Sequence, residues 1–80
     1  MYKDTPKFRL QMYRQYSKDY GELSSEGDYQ LNDQVRFYDG HAKGTITWKY
    51  MMRNRGLVYV LEDYSGVHFQ VMAHEIVGMA

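Results

Sequence analysis

His68, His74 and Glu75 lie close together in the chain and are the side chains best suited to hold a metal ion, with His41 able to join them only through the fold. A metal site needs three or four convergent ligands, backed by groups that fix their orientation. Strand alternation sends successive side chains to opposite faces, so His68 is expected to point outward from a strand and His74-Glu75 to form a solvated turn. No metal or other cofactor is therefore expected. Covalent catalysis finds little to work with either. The chain has no cysteine, and Ser17, Ser24, Ser25 and Ser65 stand in polar surroundings without the elbow motif of a serine nucleophile. Gly40-His41-Ala42-Lys43-Gly44 lacks the spacing and the Gly-Lys-Ser/Thr ending of a phosphate loop and reads as a tight turn. The expectation is a protein that is not an enzyme.

Binding chemistry is better represented. Nine tyrosines stand against three phenylalanines and one tryptophan, and tyrosine is the aromatic that tolerates being half wet. Strand alternation groups Trp48 with Ile46 in the core and leaves Tyr38, Tyr59 and Tyr64 as exposed candidates for contact with a protein partner, together with Arg53 and Arg55 at a hairpin tip. Lys7, Arg14 and Lys18 fall within about 40° of one another on a helical projection and form a basic ridge, the candidate surface for nucleic-acid phosphates or for an acidic partner.

These side chains must be positioned by short elements. Thr5-Pro6 is a helix start, with a hydroxyl at the N-cap and a proline where its missing N–H costs nothing, and Gly21 is the stop. Phe8, Met12, Tyr16 and Tyr20 recur every fourth residue and form an apolar stripe, so residues 5–20 are predicted to be one amphipathic helix. Residues 21–30 carry no periodicity and read as a connecting loop. The period then becomes two. Val35 and Phe37, then Ile46, Trp48 and Tyr50, then Val67, Phe69 and Val71 alternate with more polar residues, and Leu57 to Leu61 is apolar throughout, as a strand covered on both faces would be. Glycine-containing turns separate these runs, which makes neighbouring strands antiparallel. Ala73-His74-Glu75 is predicted to be one 3₁₀ turn before a last short strand at Ile76-Val77. The whole chain, 1–80, is expected to be one domain, mainly β, with residues 31–79 forming a five-stranded antiparallel barrel behind the helix.

Val35-Arg36-Phe37, Gly40, Gly44-Thr45-Ile46, Tyr59-Val60, Gly66-Val67-His68-Phe69 and Glu75-Ile76-Val77 together resemble the SH3-like barrels of the KOW and tudor type. That resemblance implies a barrel fold. It also implies contacts to RNA through loop-tip arginines, or an aromatic cage for a methylated side chain built from residues such as Tyr38, Tyr59 and Tyr64. A narrower likeness is to the type II dihydrofolate reductases. Asp33-Gln34-Val35-Arg36 resembles their first strand, and Ile46 with Trp48 their second. In that family a lysine and a Val-Gln-Ile-Tyr segment line a pore between four chains. Here Phe37 and Val67-His68-Phe69-Gln70 stand at those places, so the residues that would bind folate and nicotinamide are absent.

Charge decides between partners. Lysine plus arginine balance aspartate plus glutamate at ten each, which removes any whole-molecule attraction to nucleic acid or to an anionic membrane. Residues 1–20 nevertheless carry five basic against two acidic side chains, a balance of +3, and residues 21–80 carry −3. No apolar run has the length of a signal peptide or a membrane span, and the lack of cysteine suits a reducing compartment, so a soluble cytoplasmic protein is expected. The favoured reading is a small interaction module for a protein partner. Nucleic acid is the alternative, and a second copy of the chain is a further possible partner.

Overall fold

The computed structural model describes residues 6–80, with side chains from residue 13 onward. One helix, α1 (Pro6–Asp19), precedes the strands β1 (Gln34–Phe37), β2 (Ala42–Met52), β3 (Gly56–Glu62), β4 (His68–Met72) and β5 (Ile76–Met79). The expected cap at Thr5 and the stripe residues Phe8 and Met12 lie outside what is described. At its other end α1 stops as anticipated: Tyr20 N–H donates to Tyr16 O at 2.8 Å, and Gly21 then turns the chain with φ at +138°. The 3₁₀ turn falls at Ala73–Glu75, where the Glu75 carboxylate accepts Met72 N–H at 2.8 Å and so caps it. No helix among the described residues is long and apolar enough to cross a membrane.

All strand pairs are antiparallel, and the sheet order is β4-β3-β2-β1-β5. The element type is as the sequence predicts. Closure is not observed, because no ladder joins β4 to β5 and these two strands remain the edges of an open sheet. The eleven-residue β2 lies at the centre. Its first part, Ala42 to Thr45, pairs with β1, and Thr45 to Met52 pairs with β3. Beyond Thr45 it has lost β1 as a neighbour, and its vacated edge would expose backbone donors and acceptors. Residues 22–33, here called the strap, supply the partners. Asn32 N–H donates to Ile46 O at 2.8 Å, Ile46 N–H to Asp33 O at 2.9 Å, and Ser24 N–H to Lys49 O at 2.9 Å.

A bulge at Thr47 gives the sheet two cores. Ile46 stands opposite Leu61 and Trp48 opposite Val60, so Thr47 is one residue too many on β2 and the alternation of side chains slips there. Ile46 joins Val35, Phe37, Tyr59, Leu61, Val71 and Ile76 on the strap side. Trp48 joins Tyr50, Val58 and Val60 on the other side, beneath Tyr16 of α1. The expectation that Trp48 is buried holds, but it does not share a face with Ile46. Val58 to Leu61 are buried in succession because β3 is covered by the strap on one face and by α1 on the other. The helix docks through rings. Tyr16 stacks on Trp48 at 5.5 Å between centroids, Tyr20 on Tyr50 at 5.8 Å, and Tyr13 meets Trp48 edge-on at 5.1 Å. Each such contact contributes about 0.5 to 1.5 kcal/mol beyond its buried area.

The slip also turns Lys49 inward, where plain alternation would leave it in solvent. It is only 2% exposed, and it shares the strap-side face with its cross-strand neighbour Tyr59. Among the described residues no carboxylate accompanies it. Its ammonium donates to Glu26 O at 2.8 Å, Tyr29 O at 3.0 Å and Gln30 Oε1 at 3.3 Å, so three oxygens of the strap replace its hydration. Removing the amine leaves the two carbonyls in a dry site without a donor. Lys49→Ala is therefore expected to cost about 2 to 3 kcal/mol, read from the urea midpoint at constant slope. Gly27 fixes the same contact sterically. A Cβ there would fall 2.1 Å from Tyr59 Oη and 2.5 Å from Leu57 Cδ2, at a φ of +94°. Gly27→Ala should destabilise by at least about 2 kcal/mol. Adding Tyr59→Phe should restore part of that loss, which a double-mutant cycle would measure.

Candidate functional site

The three tyrosines singled out as exposed have different fates. Tyr64 is fully exposed in the β3–β4 turn and Tyr38 is 48% exposed in the β1–β2 turn. Tyr59 is corrected. It is 1% exposed, lies beneath the strap, and accepts Tyr29 N–H at 3.4 Å on its hydroxyl. The reason is that β3 has no solvent face, as its unbroken apolar run Leu57 to Leu61 implies, so the alternation that would leave Tyr59 outside does not apply to it. Tyrosine abundance is thus mostly a packing feature: Tyr16, Tyr50 and Tyr59 are buried, with Tyr20 and Tyr29 packed against them.

Arg53 and Arg55 are exposed in the β2–β3 turn, at the far end of β2 from Tyr38. They do not form one site with it. On α1, Arg14 and Lys18 are exposed, and the side chain of Lys7 is outside those described. His68 sits on β4 with Nε2 at 3.1 Å from Glu62 Oε2, a contact across the β3–β4 pair. The described residues bring no three of their histidine, aspartate and glutamate side chains together as metal ligands.

An open cleft of about 510 Å³ lies at the end of the sheet, lined by Asn32, Gln34, Lys43, Thr45, Glu62 and Asp63 among others, with Tyr64 at its rim. Its carboxylates are already engaged. Glu62 faces His68, and Asp63 Oδ1 accepts Ser65 N–H, Ser65 Oγ–H and Val67 N–H at 2.9, 2.8 and 2.9 Å. The Ser65 hydroxyl above all, then Val67 N–H, holds the Asp63 carboxyl below its ordinary range. Asp63 is thus a turn-forming group in this arrangement, with its lone pairs turned toward its own loop.

The feature that sequence reading overlooked is the β5 edge. Val77 and Met79 are 59% and 57% exposed on a strand whose only ladder among the described residues is to β1. Tyr38 stands at the start of that strand, since its N–H donates to Glu75 O at 2.8 Å just before β5 begins, whereas Met79 lies at the other end, opposite Val35. Its backbone is held at a φ of +57°, a left-handed conformation uncommon for a bulky residue, and its ring meets Phe37 edge-on at 4.9 Å. Strain of this kind collects where a side chain must be aimed. A signal was present in the sequence: Ile76-Val77-Gly78-Met79 contains no charge and no proline, the devices that usually blunt an edge strand.

No protein-family model, no curated protein and no solved structure matches the chain.

Two buried phenols make stability depend on pH. Burial pushes the Tyr59 hydroxyl above its ordinary value of 10.0, with the Asp28 charge adding to the shift and the strap N–H of Tyr29 opposing it. Burial, then neighbouring Tyr20, pushes Tyr50 up as well, and its hydroxyl donates to Gln70 Oε1. A raised folded value means that the folded state holds the proton more tightly. The stabilisation is complete below pH 10 and lost as pH rises through the folded values. Urea midpoints should therefore fall steeply above about pH 10. Tyr59→Phe and Tyr50→Phe should each flatten that fall.

Proposed function

We propose that the chain is a non-catalytic interaction module that takes a protein partner along the β5 edge, with Tyr38, Val77 and Met79 as its apolar anchors. The observation that carries this reading is the uncharged edge strand Ile76–Met79, which leaves Val77 and Met79 exposed and begins next to a tyrosine held at positive φ. Such an edge offers unpaired backbone groups to an extended segment, and alternate side chains supply the specificity. An SH3-like barrel is the finer fold reading. Its support is the strand order with β5 beside β1, the long β2 shared between two pairings, and the 3₁₀ turn between β4 and β5. A soluble cytoplasmic setting accompanies the proposal. So does the lack of a cofactor, given that the carboxylates of the cleft are engaged by their neighbours.

The nucleic-acid reading keeps one favourable observation. Tyr20 near the end of α1 stacks on Tyr50, three residues before Arg53, so Lys18 and the Arg53–Arg55 turn lie toward the same end of the molecule. Asp19 and Glu22 share that region and oppose phosphate.

Affinity capture from source cells, with nuclease and salt arms, distinguishes these. A protein partner held by apolar and backbone contacts should survive nuclease and about 500 mM salt, because screening acts on exposed charges. Val77→Lys should release it. Tyr38→Gly should lower retention at least tenfold while leaving stability within about 1 kcal/mol of the parent, since relief of the left-handed strain offsets the lost ring contact. Equal retention by both variants would overturn the edge assignment. Release by nuclease together with loss of nucleic-acid binding as salt rises from about 20 mM would transfer the function to Lys18, Arg53 and Arg55.

A further inference from the structure

The charge asymmetry of the sequence becomes a spatial one in the fold. The strap carries Glu22, Glu26, Asp28 and Asp33 and no lysine or arginine. Its central part lies on the face opposite α1: Glu26 O and Tyr29 O hold the Lys49 ammonium, and Gly27 closes on Tyr59, all on the strap-side core, whereas Tyr16 and Tyr20 cover Trp48 and Tyr50 on the other side. Glu26 and Asp28 are exposed, as are Arg14 and Lys18, about 40° apart on the outer surface of α1; the exposed Asp19 lies about 100° round the helix from Lys18 and accepts Gln15 Nε2–H at 2.8 Å. With the sheet between them, these charges cannot neutralise one another within one molecule. Among the described residues the only ion pair is that of His68 with Glu62, so none of the four is paired. Lys49 does not discharge the strap, because its ammonium bonds carbonyl and amide oxygens and no carboxylate.

We infer that the chain associates head to tail with a second copy of itself, the basic outer face of α1 in one molecule seated on the acidic strap of the next. Complementarity points to a second copy. The chain carries both signs in matching amounts, +3 in residues 1–20 and −3 in the remainder, and its net charge of zero removes the repulsion that would keep copies apart. Because the two surfaces are different and lie on opposite faces, the contact is heterologous. It adds molecules in sequence and does not close into a two-fold dimer. The association uses neither Tyr38 nor the β5 edge, so it stands or falls independently of the proposed protein-binding surface.

Sedimentation equilibrium on the full chain tests this. At about 20 mM salt, where screening is weak, the weight-average mass should climb with protein concentration past twice the 9.6 kDa of one chain, and at about 500 mM it should return to the monomer. R14E/K18E and E26K/D28K should each be monomeric at low salt. An equimolar mixture of the two should associate again, since the reversed helix of one then matches the reversed strap of the other. Restoration on mixing excludes misfolding as the cause of either loss. A wild-type chain monomeric at low salt, a mass that levels off at the dimer, or association retained by either variant alone would overturn the inference.

Discussion

One extra residue in β2 sets the plan of this protein, because the slip at Thr47 decides which way every later side chain of the strand points. Before it, Ile46 faces the strap; after it, Trp48 and Tyr50 face the helix and Lys49 faces the strap. Without that slip, Trp48 would compete with Ile46 for one core, and α1 would have no indole to dock on. A small domain has little apolar surface to spend. Here a single sheet serves two cores, and β3, buried on both sides, is the wall between them.

The strap is the second half of the same arrangement. A strand that outlasts its neighbour leaves backbone groups in need of partners, and an irregular segment satisfies them only if it is held in register. Lys49 does the holding with a charge, Tyr59 with a hydroxyl, and Gly27 by lacking a side chain. The absence of a carboxylate at Lys49 has a physical sense: a buried ion pair would need two ions desolvated, whereas carbonyl dipoles already fixed by the strap compensate one.

Much of the architecture was legible from sequence because it rests on local chemistry. The Gly21 stop, the turns at Arg53–Arg55 and around Ser65, and the Ala73–Glu75 turn each follow from the conformational preferences of one or two residues, whereas Ala42-Lys43-Gly44, read as part of a tight turn, already belongs to β2 because it pairs with β1. What escaped reading depends on register. Nothing in Thr45-Ile46-Thr47-Trp48 marks a bulge, so the separation of Ile46 from Trp48 and the burial of Lys49 were both hidden behind one unseen slip, whereas the burial of Tyr59 follows from the two covered faces that the apolar run of β3 already implied. The open edge was missed for a different reason. Val77 and Met79 look like core residues when counted by hydropathy, and only the end of the strand order exposes them. The surface that results is divided, with apolar anchors at the β5 edge, arginines at the far end of β2, and opposite charges on opposite faces.

The position of Trp48 has a spectroscopic consequence. It is the chain's only tryptophan, 1% exposed, with its indole N–H donating to Gly21 O at 2.9 Å and its ring sandwiched against Tyr16 and Tyr13. Indole emission, excited selectively over the tyrosines, therefore reports on the helix-side core and not on the strap-side core around Tyr59. If α1 lifts from the sheet before the rest unfolds, the indole fluorescence will shift to the red while the strap-side core is still closed. The protein thus carries a built-in optical probe for one half of its own interior.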